Sequence, residues 1–249
     1  LRQIVGDLDN TNIITNTISE FENKDVTSIH IPDVFTDVEK RIKFAVAVLL
    51  DNDEIEYGDE LFVIAKLPTL ETEAITSVNI KEEFVRTEII KFFLESNAST
   101  EAIYETLSLA VSLAQTGSKG SPIGALFVVG DENEVLDRSK PLNYNPYSGA
   151  DVHVSDEVVE ASISEFAKLD GAFVIANEGK VVSSNRYLEP KVQDADVPSG
   201  LGSRHMAGSG ITESANAVSI VVSESDQKVR CFMDGQLVFE LYPSESVFI

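Results

Sequence analysis

The sequence predicts an α/β protein, in which a mixed β-sheet flanked by helices follows a smaller α/β domain. Amphipathic segments with helical spacing alternate with short apolar segments of buried-strand type. The segment "KVRCFMDGQLVFEL" places Asp234-Gly235, the favoured residues of a type I′ turn, between two strands. Because some strands are joined by hairpins and others by helices, the sheet is predicted to be mixed, with helices packed on it.

The first block is predicted to be a small α/β domain over residues 1–97. The segment "TDVEKRIKFAVAVLLDN" predicts a helix with Thr36 as its N-cap, and "LFVIAKL" predicts a buried strand. The segment "KEEFVRTEIIKFFLESN" predicts an amphipathic helix with Phe92 and Phe93 towards one side. The polar stretch "ESNAST" that follows marks the predicted boundary with the second domain, residues 98–249.

The second block has denser turn and strand signals. The segment "TEAIYETLSLAVSLAQTG" predicts a helix that begins after Ser99 or Thr100 and stops at Gly117. The segment "SDEVVEASISEFAKLDG" predicts a helix with Ser155 as its N-cap and Lys168 in its last turn. Strands are predicted in "SPIGALFVVGD", "GAFVIAN", "KVVSSN" and "NAVSIVVSES".

Composition excludes several classes of protein. The chain has 249 residues and no run of eighteen apolar residues, so we expect no membrane partner. Its single cysteine excludes an intramolecular disulfide framework and a cysteine-rich zinc site, and we expect a cytoplasmic location. The net charge of -23 is spread evenly along the chain and repels polyanions, so we expect no nucleic-acid partner.

Two polar clusters carry the candidate chemistry. Asp170 lies at a helix-to-strand corner before Gly171, where a ligand can approach a backbone that has no Cβ. A corner Asp before Gly is also an ordinary turn residue. Ser203-Arg204-His205 begins a predicted helix, where free N–H groups, a guanidinium and an imidazole form an anion site. The alternative is an arginine that satisfies a carbonyl or carboxylate of the fold.

Other apparent motifs fail on inspection. In "GLGSRH", His205 replaces the last glycine of a dinucleotide-binding fingerprint, and "TGSKGSPIG" lacks the lysine-serine/threonine pair of a P-loop. His30 and His153 have no partner at metal-ligand spacing, so we interpret both as incidental.

The ordered set "KGSPIGALFVVGD", "LNYNPYSG", "LDGAFVIANEGKVVSSNRYL", "GLGSRHMA", "VSIVVSES" and "FMDGQL" resembles the diadenylate cyclase domain over residues 98–242. The first block resembles the pyruvate-kinase C-terminal-like domain of soluble archaeal diadenylate cyclases. The resemblance implies an enzyme that condenses two ATP molecules into the second messenger cyclic di-AMP and two pyrophosphates, with Mn²⁺ or Mg²⁺. It also implies a homo-oligomer, at least a dimer with two domains face to face.

The resemblance implies roles for individual residues. Asp170, Arg204 and His205 would be catalytic, and Asp170 with Glu224 would hold the metal ion near the 3′-hydroxyl of ATP. The implied ATP-binding residues are Gly171, Ala172, Tyr187, Leu188, Ser203, Arg204, His205 and Ser223. The family motif often reads Arg-His-Arg, but its third position here is Met206, so Lys119 is a candidate substitute cation.

Two other classes remain open at this point. The same fold with a weakened phosphate clamp would make a nucleotide-binding sensor without turnover, although such a sensor has no need of Asp170 and Glu224. An interaction module led by the first block would show no ATP-dependent behaviour.

Overall fold

The computed structural model describes residues 13–15, 28–30, 38–51, 54–67, 72–81, 91–93, 95–117, 120–189 and 200–243. The chain divides into two compact units, Leu1–Arg86 and Thr87–Ile249. The domain boundary between residues 97 and 98 stays a prediction. Thr36 and Lys119 lie outside the described residues. No helix in the described part of the chain is long and apolar enough to cross a membrane.

In its described residues, the first unit contains one helix and two small sheets. Its elements are β1 (Ile13–Thr15), β2 (Ser28–His30), α1 (Val38–Asp51), β3 (Glu60–Leu67) and β4 (Thr72–Asn79). β1 pairs with β2 in parallel, and β3 pairs with β4 antiparallel. The predicted helix is confirmed as α1, and "LFVIAKL" is confirmed as a strand, β3. Its predicted burial is wrong at Phe62, which is 69% exposed. β4 was not predicted, because threonines and a glutamate interrupt its apolar pattern.

The second unit is built on one seven-stranded sheet. The helices of this unit with described bounds are α2 (Thr100–Thr116), α3 (Glu132–Asp137), α4 (Glu157–Phe166) and α5 (Ser203–Ser214). Its strands are β5 (Ala125–Gly130), β6 (Ser139–Pro141), β7 (Ala172–Ala176), β8 (Val181–Leu188), β9 (Ala217–Val222), β10 (Val229–Met233) and β11 (Gln236–Leu241). The strand order is β11-β10-β9-β5-β7-β8-β6, and β5–β7 is its one parallel pair. The predicted mixed sheet with flanking helices is therefore confirmed.

Both ends of α2 match the prediction. The Ser99 side chain accepts a hydrogen bond from the backbone N–H of Ala102 at 3.1 Å, which caps the first turn. At the other end Gly117 has φ 60°, and its N–H donates to the Leu113 carbonyl. A glycine takes this conformation without a Cβ penalty, so the helix ends there.

The predicted ends of α4 are wrong. The helix begins at Glu157 with Asp156 as its N-cap, and it ends before Lys168. Asp156 makes no capping bond, because its carboxylate accepts the backbone N–H of His153 at 2.8 Å. The hydroxyl of Ser155, the predicted cap, lies 2.7 Å from Nδ1 of His153 instead. His153 therefore organises the approach to the helix, and this local network overrides the capping preference.

The hairpin between β10 and β11 is confirmed and anchors α5. Asp234 and Gly235 have φ of 50° and 77°, as a type I′ turn requires. The hydroxyl of Ser209 donates to the Gly235 carbonyl, and the Gly235 N–H donates to Thr212 Oγ1 at 3.1 Å. These bonds attach the middle of α5 to the tip of the hairpin.

α5 also packs closely on the sheet at Gly208. A Cβ at this position would lie 2.8 Å from Ser219 Oγ, 3.1 Å from Val221 Cγ2 and 3.2 Å from Leu126 Cδ1. The last two atoms belong to core side chains that cannot move freely. The missing side chain therefore sets how closely α5 approaches β9 and β5.

We predict that Gly208→Ala lowers the free energy of unfolding by about 1 kcal/mol or more, because overpacking outweighs the gain in helix propensity. Ser219→Ala removes the nearest obstacle, a buried hydroxyl without a hydrogen-bond partner. The double variant should therefore recover part of the loss in denaturant unfolding. Additive effects of the two substitutions would contradict this account of the packing.

Candidate active site

The candidate residues lie at one edge of the large sheet. β5 and β7 are parallel, and β9 runs antiparallel to β5. The amino ends of β5 and β7 therefore lie beside the carboxyl end of β9. The pairing of Phe127 with Phe173 puts Gly124 and Asp170, each three residues earlier, at one level. Glu224 lies two residues after the end of β9, at the same edge.

Arg204 lies between two carboxylates at this edge. Its Nη2 is 3.8 Å from Asp170 Oδ1, and its Nη1 is 3.9 Å from Glu224 Oε2. The Asp170 and Glu224 side chains are 93% and 65% exposed, and the Arg204 side chain is 30% exposed. Long, exposed ion pairs contribute little to stability, so all three groups remain available to a ligand. The structure thus brings together three residues that are far apart in the sequence.

Asn185 holds the corner that carries Asp170. Its Nδ2 donates to the Asp170 carbonyl at 3.2 Å, and its Oδ1 accepts the Ser184 hydroxyl at 2.9 Å. The residue is buried and has φ 56°. Asparagine is among the few residues that take this conformation, so the motif "SSN" inside a strand pattern was an available signal. The role of Asn185 was not predicted.

The structure requires a glycine at position 171 for its own packing. Gly171 has φ 109°, and an added Cβ would lie 2.6 Å from the backbone carbon of Asn185 and 2.7 Å from the nitrogen of Arg186. The approach of β8, rather than that of a ligand, therefore explains the missing side chain. Ala172 is buried in β7, so only its backbone faces the edge.

Tyr187 and Leu188 have opposite environments. Tyr187 is 56% exposed and pairs with Lys140 of β6. Leu188 is 6% exposed and belongs to the same core cluster as Leu126 and Val128. Of the two predicted adenine neighbours, only Tyr187 presents its side chain to a ligand, and Leu188 has only its backbone to offer.

The amino end of α5 opens at the same edge. Its N-cap is Gly202, which supplies no side-chain cap, and the exposed Ser203 begins the helix. Backbone N–H groups of a first helical turn have no carbonyl partner within the helix. Together with Arg204, they make the start of α5 suited to an anion.

His205 is buried behind Arg204 rather than exposed beside it. Burial first, and then the charge of Arg230, lower the pKa of His205 to about 4, so its ring is neutral at pH 7. Nη1 of Arg230 lies 3.4 Å from His205 Nε2. Because a guanidinium only donates, Nε2 accepts and Nδ1 carries the proton. His205 is therefore not a second cation at this edge.

Arg230 is itself held by acidic groups. Its two terminal nitrogens donate to Asp226 at 3.2 and 2.6 Å, and its Nε donates to Glu240 at 3.1 Å. Ser223 is buried, and its hydroxyl lies 3.2 Å from that of Ser225. These contacts give Ser223 and Arg230 structural roles in the turn between β9 and β10.

The metal-ligand chemistry rests on two carboxylates. Within the described residues, no group of three or more His, Cys, Asp or Glu side chains could hold a metal ion. Asp170 and Glu224 are hard oxygen donors on an open edge. Magnesium is commonly bound by one or two carboxylates with substrate phosphates and water. The pair therefore fits a divalent ion that is completed by a phosphorylated ligand.

Parts of this chain match known protein families and solved structures. Residues 112–237 match the family described as DisA bacterial checkpoint controller nucleotide-binding, or DAC. Residues 3–101 match the family described as diadenylate cyclase, N-terminal. Two solved structures, a hypothetical membrane spanning protein from Bacillus cereus and DacA from Staphylococcus aureus, have TM-scores of 0.46 and 0.43. The Bacillus cereus structure is 23% identical, and the match covers 62% of this chain and 68% of that one. The DacA structure is 24% identical, and the match covers 58% of this chain and 89% of that one.

Two curated relatives are both named diadenylate cyclase. A diadenylate cyclase from Haloferax volcanii is 41% identical over 87% of this chain and 80% of its own. A diadenylate cyclase from Methanocaldococcus jannaschii is 38% identical over 70% of this chain and 57% of its own. The resemblance stated from the sequence is confirmed for both halves, and the chain belongs to the diadenylate cyclase family of enzymes.

Proposed function

We propose that this enzyme condenses two ATP molecules into cyclic di-AMP and two pyrophosphates in the cytoplasm. The observation that carries the proposal is the guanidinium of Arg204 between the exposed carboxylates of Asp170 and Glu224, at the open start of α5. This edge presents an acid, a cation and helix N–H groups together. The names of the curated relatives support the same reaction.

The reaction needs two matched events. The 3′-hydroxyl of each ATP attacks the α-phosphorus of the other, and the bond from that phosphorus to the bridging oxygen breaks as pyrophosphate leaves. In our proposal the Asp170 carboxylate accepts a hydrogen bond from the attacking hydroxyl and takes up its proton as the new phosphodiester bond forms. Arg204 stabilises the charge that develops on the α-phosphate, which is a role for a donor fixed before the reaction.

The charge of the edge supports metal dependence. Among the described residues of this edge, two carboxylates and one guanidinium leave one negative charge, His205 is neutral, and Met206 adds none. A triphosphate therefore needs another positive charge to bind here. Asp170 and Glu224 would hold Mn²⁺ or Mg²⁺, which would lower the pKa of a bound hydroxyl and offset phosphate charge.

The remaining parts of ATP have neighbours on the same edge. The exposed ring of Tyr187 supplies a face for the adenine, next to the backbone of Leu188. The first turn of α5, with Ser203, supplies donors for the phosphates. The backbones of Gly171 and Ala172 lie at the base of this region. His205 contributes by supporting the start of α5 rather than by binding phosphate itself.

The product requires two sites. Each of its two phosphodiester bonds joins one ATP to the other, so two bound nucleotides must face each other. A two-fold homodimer with these edges opposed meets that requirement with one kind of interface.

The proposal is tested by incubating the protein with ATP and Mn²⁺ and separating the nucleotides by chromatography. We expect cyclic di-AMP and pyrophosphate. ATP that binds but returns unchanged would indicate a sensor, and no ATP binding would indicate an interaction module.

We predict that Asp170→Asn abolishes product formation and leaves the thermal midpoint unchanged, since the change is nearly isosteric and the side chain is 93% exposed. Asp151→Asn is the matched control, because Asp151 is 97% exposed and pairs with Lys180 at the opposite edge of the sheet. Normal turnover by Asp170→Asn would remove this acid from the mechanism.

We predict that Arg204→Ala lowers turnover at saturating ATP by about 10²–10³-fold, the usual effect of one charge-stabilising donor. Arg204→Lys keeps the charge but loses the two-armed geometry of the guanidinium. Its turnover should therefore lie between that of the wild type and that of Arg204→Ala. If Arg204→Ala turns over like the wild type, the arginine only neutralises its two carboxylate neighbours.

A mixed dimer tests how the two sites cooperate. Suppose Asp170 serves the hydroxyl of its own ATP, while Arg204 holds the α-phosphate that the other ATP attacks. In a dimer of one Asp170→Asn subunit and one Arg204→Ala subunit, one attack then lacks both groups and the other retains both. We predict that such a dimer, purified through two different tags, releases the linear 5′-triphosphate dinucleotide.

Chromatography of the products distinguishes the alternatives. No product from the mixed dimer, or linear product slowed by about 10²–10³-fold, would mean that both groups of one subunit serve the same bond. Cyclic product at the wild-type rate would contradict the paired-site mechanism as a whole.

A further inference from the structure

Gly124 lies directly against the guanidinium of Arg204. The residue is buried and immediately precedes β5. A Cβ at this position would lie 2.9 Å from Arg204 Nη1, 3.4 Å from Arg204 Cζ and 3.4 Å from Glu224 Cβ. The nearest neighbours of the missing side chain are therefore two of the three residues that form the candidate site.

The backbone conformation does not explain this glycine. Gly124 lies outside the left-handed region, unlike Gly171 at φ 109°. A side chain at position 171 would also meet backbone atoms of β8, whereas one at position 124 would meet the end of a flexible side chain. Space for the guanidinium is what position 124 provides.

We propose that Gly124 is a positioning residue, which acts through Arg204 by letting the guanidinium lie over the start of β5 between Asp170 and Glu224. This inference rests on the proposed function. With any larger residue at position 124, the guanidinium must move away from the backbone, so the distances from Nη2 to Asp170 and from Nη1 to Glu224 change. A displacement of about 1 Å in a positioned group is enough to reduce catalysis strongly.

The consequence is a separation of activity from stability. Arg204 can move away from an added methyl group at little cost, because its side chain is flexible and its ion pairs are long and partly exposed. At Gly208, by contrast, an added methyl group meets core atoms of Val221 and Leu126. Gly124→Ala should therefore lose activity and Gly208→Ala should lose stability.

The test compares Gly124→Ala, Arg204→Ala and the double variant in the full chain, by turnover of ATP with Mn²⁺ and by thermal unfolding. Gly124→Ala should lower turnover about 10- to 100-fold with a thermal midpoint within about 2 °C of wild type. In the Arg204→Ala background the same substitution should change turnover less than about twofold, because the group through which it acts is gone.

Three results would overturn the inference. One is wild-type turnover by Gly124→Ala. A second is an equal loss in both backgrounds, which would show that Gly124 acts independently of Arg204. A third is a fall in thermal midpoint as large as that of Gly208→Ala, which would make the effect structural. If the wild-type protein is active and any of these results is found, the proposed function stands and only the inference about Gly124 fails. If the wild-type protein is inactive, both the proposed function and the inference fail.

Discussion

The pairing of β9 between β5 and β10 is the constraint on which the site depends. Because β9 runs antiparallel to β5, its carboxyl end reaches the edge where β5 and β7 begin. Glu224 thus lies at the same edge as Asp170, although more than fifty residues separate them in the chain. If β9 ran the other way, the two acids would lie at opposite edges and Arg204 could not lie between them.

The position of α5 depends on that same sheet. Gly208 lets the helix approach β9, and hydrogen bonds from Ser209 and to Thr212 tie it to the β10–β11 turn. Its first turn is then directed at the edge with the two carboxylates. The helix supplies position and dipole, and Arg204 supplies charge. Small residues in the middle of α5 therefore serve the chemistry at its end.

The electrostatics at the edge differ from those suggested by the residue types. A serine, an arginine and a histidine in sequence suggest two cations, but burial and Arg230 keep His205 neutral. Arg230 is in turn neutralised by Asp226 and Glu240. Among the described residues, the exposed charge at this edge is one guanidinium between two carboxylates, which is why a divalent ion is central to the proposed reaction.

Sequence patterns alone predict the mixed sheet, the ends of α2, the hairpin at Asp234-Gly235 and, through resemblance, the family. These follow from local periodicity, turn chemistry and ordered motifs, which act over a few residues. The fold was needed to show that Leu188 and His205 face inward, and that Gly124 and Asn185 support the site. These features depend on which strand or helix packs against each residue from elsewhere in the chain. A pattern of a few neighbouring residues contains no information about that packing partner.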